Sequence, residues 1–242
     1  MSIIKRVAKH EKSDGPLYFN HDSLGEPTPN YVAWIDMMGA RAAMAHSLAV
    51  SSNHIGRVHS AVLRSRTGEV LVYPAMDGAY VTSVAREPIE STLRGFFECC
   101  AEYFAATERD EHRFLVRGGL AYGPVIHGRD ISSNCSRELA KDEPYKSSLL
   151  FGIPVVQANR CEALAPPFGV YVDESARSFA PSDSRTFSGL WWRWWTGDSP
   201  PDAFTARIRK HFDWCENNWR RIEYSQDRIK EHRDLARQYM CL

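Results

Sequence analysis

The sequence predicts an α+β fold in which helices pack on a mixed, mostly antiparallel sheet. Three observations carry this expectation. Apolar strand-like runs and amphipathic helical runs alternate as β-α-β-β-α-β and then β-α-β between positions 31 and 172. Asp77-Gly78, lying between two alternating segments, is a hairpin signal. From Pro88 onward, Ile89, Leu93, Phe96, Phe97, Cys100 and Phe104 recur on one helical face.

In chain order, a polar arm over 1–30 is punctuated by Pro16, Gly25, Pro27 and Pro29. Tyr31 to Ile35 reads as a buried strand running into Asp36, followed by a glycine-containing turn. Segments 40–50 and 54–63 then read as one broken helix or two short ones, interrupted at Ser51-Ser52-Asn53. Strands over 69–73 and 79–84 flank the hairpin, the Pro88 helix follows, and 114–121 and 125–127 read as further strands. The polar span 128–148 is expected to be a long loop. A short strand at 149–151, a helix over 152–164 entered through Pro154 and a strand at 169–172 complete a domain assigned to 31–180.

Segment 181–242 has a different character. Leu190-Trp191-Trp192-Arg193-Trp194-Trp195 is an aromatic cluster, and Pro200-Pro201 breaks the chain before one long helix over 202–239. Phe204, Ile208, Phe212, Trp219 and Ile222 recur there at near-helical spacing, a pattern expected to pack against the chain's own domain or a sister subunit.

Composition narrows the function classes. The 242 residues allow one large domain, or one domain with an appendage. Lys+Arg and Asp+Glu number 30 each, so no overall field draws the protein to nucleic acid or an anionic membrane, and neither is an expected partner. Any anion must be held by local groups. The six cysteines show no metal-type spacing and suit reduced thiols. A charged N-terminus and the lack of a bilayer-length apolar run point to a cytoplasmic location. No G-x-x-x-x-G-K-[ST] is present, which excludes P-loop chemistry.

Four stretches could carry chemistry. Asp36 ends an apolar strand, where its charge either meets a cation or costs stability; capping of the following helix is the alternative. Asp77 lies in a turn that needs no function to explain it, yet a first strand and a following hairpin are commonly sheet neighbours. Two such carboxylates can hold Mg²⁺ or Mn²⁺ and leave positions for phosphate oxygens. Arg117, within Val116-Arg117-Gly118-Gly119-Leu120-Ala121-Tyr122-Gly123-Pro124-Val125-Ile126-His127-Gly128, wants either an anion or a structural salt bridge. In Gly152 to Glu162, Arg160 could reach a phosphate, while Glu162 could pair with a neighbour.

In this order the four pieces resemble the class III nucleotide cyclase catalytic domain over about residues 31–172. The R-x-G-x-x-x-G-x-V-x-x-G segment at Arg117 to Gly128 is the most specific match, and G-x-x-V-x-x-A-x-R-x-E at Gly152 to Glu162 the next. The resemblance implies a ferredoxin-like cyclase domain with a C-terminal helical extension. It implies two divalent metals, Mn²⁺ or Mg²⁺, on Asp36 and Asp77, with the Met37 carbonyl as an extra ligand. The turn Met37, Met38, Gly39, Ala40 and Arg41 would hold the triphosphate, and Arg117 would contact it. Arg160 would stabilise the transition state from the partner subunit of a homodimer.

Two places depart from the purine-selective members. Tyr73 and Leu149 stand where a Lys and an Asp or Thr would read a purine edge, and neither supplies the ammonium donor or the charged acceptor. Val156 replaces the family's Asn, which removes a hydrogen bond. The short chain also looks like the bacterial pyrimidine cyclases of Pycsar antiphage defence. That resemblance implies UTP or CTP as substrate and cyclic UMP or cyclic CMP as a signal to a separate effector. A purine cyclase with an altered pocket and an inactive nucleotide-sensing module are the other readings.

Overall fold

The computed structural model describes residues 24–132, 134–136, 138–179, 187–188 and 190–241. Most of the arm expected over 1–30 lies outside them. The order in the main sheet is β2-β3-β1-β4-β6-β8-β7, with β5 paired to β4. In chain order these strands are β1 (Thr28–Met37), β2 (Leu71–Ala75), β3 (Gly78–Ser83), β4 (Val116–His127), β5 (Leu150–Phe151), β6 (Val170–Val172), β7 (Phe187–Ser188) and β8 (Trp191–Trp192). Among the described residues, only the β4–β6 pairing is parallel. The mixed, mostly antiparallel sheet is therefore as expected.

Strand alternation divides the core. Tyr31, Ala33, Ile35 and Met37 face α2 (Leu48–Ser65) and α3 (Arg86–Ala106), whose Val58, Val62, Ile89, Leu93, Phe96, Phe97, Cys100 and Phe104 are buried. Every apolar position expected on the Pro88 helix is in this core. Val32 and Trp34 face the opposite side, where they pack with Ala121, Val125 and Ala158. Ala158 belongs to α5 (Ile153–Glu162), the helix lying on β4 and β1. This second face carries Asp36.

Several boundaries differ from expectation. The break after β1 falls at Ser47, between α1 (Ala40–His46) and α2, because the Ser47 hydroxyl accepts from the Val50 amide and caps α2. Ser51-Ser52-Asn53 stays helical. Segments 114–121 and 125–127 are one strand from Val116, whose glycines do not interrupt its pairing with β1. The expected loop 128–148 contains α4 (Glu143–Ser147), capped by Asp142. The helix expected over 202–239 is two helices, α6 (Asp202–Asn218) and α7 (Gln226–Met240). Between them Glu223 adopts φ 51°, and Ser225 caps α7 by accepting from the Arg228 amide.

The sheet runs on past position 180. β8 pairs with β6, and Trp192, Trp194 and Trp195 enter the same core as the Pro88 helix. Phe204 of α6 packs edge-on against Phe104 and Phe168. The aromatic periodicity of 204–222 thus serves packing within the chain's own domain, and α6 folds back on α7.

Candidate active site

The site forms where β1 ends. Asp36 stands opposite Gly78 of β3 and opposite Arg117 of β4. Ala75 pairs with Gly78, so Met76 and Asp77 are the two turn residues, with Met76 at φ 33°. The Met37 amide donates to the Asp77 carbonyl at 3.3 Å, which brings the two aspartates side by side as the sequence suggested.

Asp36 is poorly solvated. Its Oδ1 is buried and accepts no hydrogen bond. Burial first, then the neighbouring charges of Asp77 and Glu162, push its carboxyl up from 3.8 to about 7, against smaller opposing effects of the Met37 amide and Arg117. A buried oxygen with no donor beside a second carboxylate suits a hard cation. Among the described residues no group of three or more His, Cys, Asp and Glu side chains could hold a metal.

The following turn is partly committed. The Met38 amide donates to the Leu115 carbonyl at 2.8 Å, and the Met37 amide is used by Asp77, so neither is free for a phosphate as expected. Gly39 caps α1 with φ 75°, a left-handed conformation that glycine adopts without penalty. Ala40 is buried and Arg41 exposed just beyond it.

Arg117 takes the structural alternative in this state. Its Nε donates to Glu162, and its Nη1 lies 3.4 Å from the Ala163 carbonyl. Gly119 makes this pairing possible. A Cβ there would lie 2.1 Å from the Ala158 carbonyl and 2.5 Å from the Glu162 amide, so only glycine lets α5 lie on β4. On the outer side of the same helix, Arg160 is exposed and has no partner among the described residues. Val156, one turn earlier, is 53% exposed on that side, beside exposed Ile153.

Tyr73 shares the face of Asp36 through its register with Tyr80 and Trp34. It is buried, and its hydroxyl lies 2.6 Å from His127 Nδ1. Burial pushes the Tyr73 hydroxyl up to about 12 and His127 below its ordinary value. Tyr73 thus shares a hydrogen bond with a neutral imidazole. Sequence reasoning missed His127, although its place at the end of the glycine-rich segment, on the same strand face as Arg117, was the available signal. Leu149 lies just outside β5, half-buried, its carbonyl accepting from the Gly128 amide.

At the level of sequence, no protein-family model and no curated protein matches the chain. Solved structures do. A bacterial light-regulated adenylyl cyclase aligns with a TM-score of 0.55 at 14% identity, over 86% of this chain and 68% of that one. An adenylate/guanylate cyclase/hydrolase from Silicibacter pomeroyi aligns with a TM-score of 0.50 at 16% identity, over 68% of this chain and 87% of that one. At these identities the likeness concerns backbone architecture, and on that ground this chain has the class III cyclase-like fold.

Proposed function

We propose that this chain is a divalent-metal-dependent class III nucleotide cyclase that converts UTP to 3′,5′-cyclic UMP and pyrophosphate, with CTP the nearest alternative substrate. The observation that carries the reading is the unpartnered, buried Oδ1 of Asp36 beside Asp77, in a fold shared with solved cyclases. Asp36, Asp77 and the Met37 carbonyl are the groups that would hold two Mn²⁺ or Mg²⁺. Such ions, when bound, favour ionisation of the ribose 3′-hydroxyl and offset charge on the phosphates. Gly39, Ala40 and Arg41 keep the turn open to the triphosphate, and Arg117 exchanges Glu162 for a phosphate oxygen. Arg160 stabilises charge developing on the transferred phosphoryl group in the site of a second copy, consistent with its exposure beside Ile153 and Val156. Active sites at a homodimer interface follow from this.

The pyrimidine assignment rests on Tyr73 and Leu149. Tyr73 spends its hydroxyl on His127 and presents bulk, and Leu149 offers no side-chain acceptor, so a small base fits and a purine edge goes unread. By the same resemblance, the product is an alarm signal in bacterial antiphage defence, read by a separate effector protein. Incubating the purified protein with Mn²⁺ and each of the four nucleoside triphosphates tests the reading. Cyclic UMP is the expected main product. Cyclic AMP or cyclic GMP as the main product overturns the pyrimidine assignment. Cyclisation of none of the four favours an inactive nucleotide sensor, the reading suggested by Val156 in place of a hydrogen-bonding side chain.

A further inference from the structure

Between the β1–α1 turn and the α6–α7 hairpin lies a cleft of about 400 Å³, within the range of small-molecule sites. Arg160 is not among the residues that line it. Its floor holds two buried imidazoles with unused nitrogens. His211 is 4% exposed, and its Nδ1 has no hydrogen-bond partner; Asp110 stands 3.9 Å away, too far for one. The other ring nitrogen, Nε2, lies 3.4 Å from the Cys215 sulfur. His54, also buried, leaves Nε2 unpaired. Burial pushes His211 down to about 3 and His54 below its ordinary value, so both are neutral and can offer a donor or an acceptor. Trp214 stacks on His211 at 5.8 Å and 19° and adds a flat aromatic wall.

Guanidiniums line the cleft as well. Arg228, in the first turn of α7, is exposed and has no ion pair among the described residues. Arg113 and Arg117 line the cleft too, and burial first, then the charges of Arg117 and Arg228, push His232 below its ordinary value. Two carboxylates also line the cleft. Glu111 is engaged by Arg109, and Glu223 is exposed at the hairpin turn. A flat aromatic wall with unused imidazole nitrogens, together with the exposed guanidinium of Arg228, matches a planar heterocycle bearing a phosphate.

We propose that this cleft is a second ligand site, which binds a nucleoside 5′-monophosphate with its base against Trp214 and His211 and its phosphate at Arg228. Met37, Met38 and Gly39 line the same cleft and adjoin Asp36, so occupancy bears directly on the catalytic turn. The C-terminal hairpin thereby gains a regulatory role.

Calorimetric titration of AMP, GMP, CMP and UMP in EDTA, with wild-type protein and with the Asp36→Asn variant, tests this. At least one monophosphate is expected to bind both proteins at one per chain. Arg228→Gln, a surface change, should weaken that binding about tenfold or more. Ala43→Trp, which fills the cleft from α1, should abolish it. Failure of all four to bind, or binding unchanged in both Arg228→Gln and Ala43→Trp, overturns the proposal. With neither divalent metal nor triphosphate present, the result is independent of the cyclase reading.

Discussion

Replacing Asp36 by Asn isolates the electrostatic cost on which the metal assignment rests. In the metal-free fold this carboxyl ionises at about 7 rather than 3.8, through burial first and then the charges of Asp77 and Glu162. A carboxyl held above its unfolded value binds its proton more tightly in the folded chain. Stability therefore falls as pH rises from about 4 to about 7, and the whole penalty is present above that window. At 1.36 kcal/mol for each tenfold in proton affinity, the difference is about 4 kcal/mol. Solvent screening of a side chain that is not fully buried brings it to roughly 2–4 kcal/mol. Asparagine matches the carboxyl in shape and carries no charge. Asp36→Asn is thus expected to stabilise the metal-free protein by roughly 2–4 kcal/mol at pH 8, and by about nothing at pH 4. Urea unfolding in EDTA at pH 4, 6 and 8 measures this. Mn²⁺ offsets most of this gap: at a hundred times its dissociation constant it should stabilise the wild type by about 2.7 kcal/mol and leave the variant unmoved. A variant less stable than wild type at pH 8 without metal would refute the reasoning.

Gly119→Ala puts a methyl 2.1 Å from the Ala158 carbonyl. It should cost about 3 kcal/mol and lower the melting temperature by roughly 10 °C, since α5 must lift off β4; an unchanged melt would show that the helix yields freely. Tyr73→Phe leaves His127 Nδ1 without its hydroxyl partner, so a loss of about 1–2 kcal/mol in urea unfolding is expected with nucleotide selectivity retained. Tyr73→Ala, by contrast, opens the pocket and should admit purine triphosphates in a competition assay. Mixing Asp36→Ala with Arg160→Ala protein should restore one competent site per heterodimer. Continued inactivity despite demonstrated subunit exchange would rule out shared sites.

The elements legible in the sequence were those governed by local pattern. The apolar run Tyr31 to Ile35 marked a buried strand ending at Asp36, and the Asp-Gly pair marked the hairpin that carries Asp77. The apolar face of the Pro88 helix was readable for the same reason. What stayed hidden depends on partners distant in sequence. Nothing near Tyr73 signals that its hydroxyl belongs to His127, 54 residues away, and only the sheet brings them together. Arg117 was open to either an anion or a carboxylate, and the choice of Glu162 is set by how closely α5 approaches through Gly119. The break between α6 and α7 was missed because helical periodicity runs through it, while the turn is enforced by Glu223 and by the Ser225 cap.

Under the proposed cyclase function, charge around Asp36 constrains the order in which metal and nucleotide arrive. Three carboxylates, Asp36, Asp77 and Glu162, act on this point against the single guanidinium of Arg117, a local excess of two negative charges when all are ionised. A triphosphate approaching that excess alone is repelled. One divalent cation removes it, and the proton that Asp36 retains up to about pH 7 partly stands in for that cation. With the carboxylate charge offset, Glu162 holds Arg117 less exclusively, and the guanidinium becomes available to a phosphate oxygen. Nucleotide binding at Asp36 is therefore expected to require metal and to strengthen as pH rises through 7, as the competing proton leaves. Nucleoside triphosphate binding to the Arg228→Gln protein, measured with and without Mn²⁺ across that range, separates this site from the cleft under the C-terminal hairpin. Affinity that ignores both metal and pH would place the triphosphate away from Asp36 altogether.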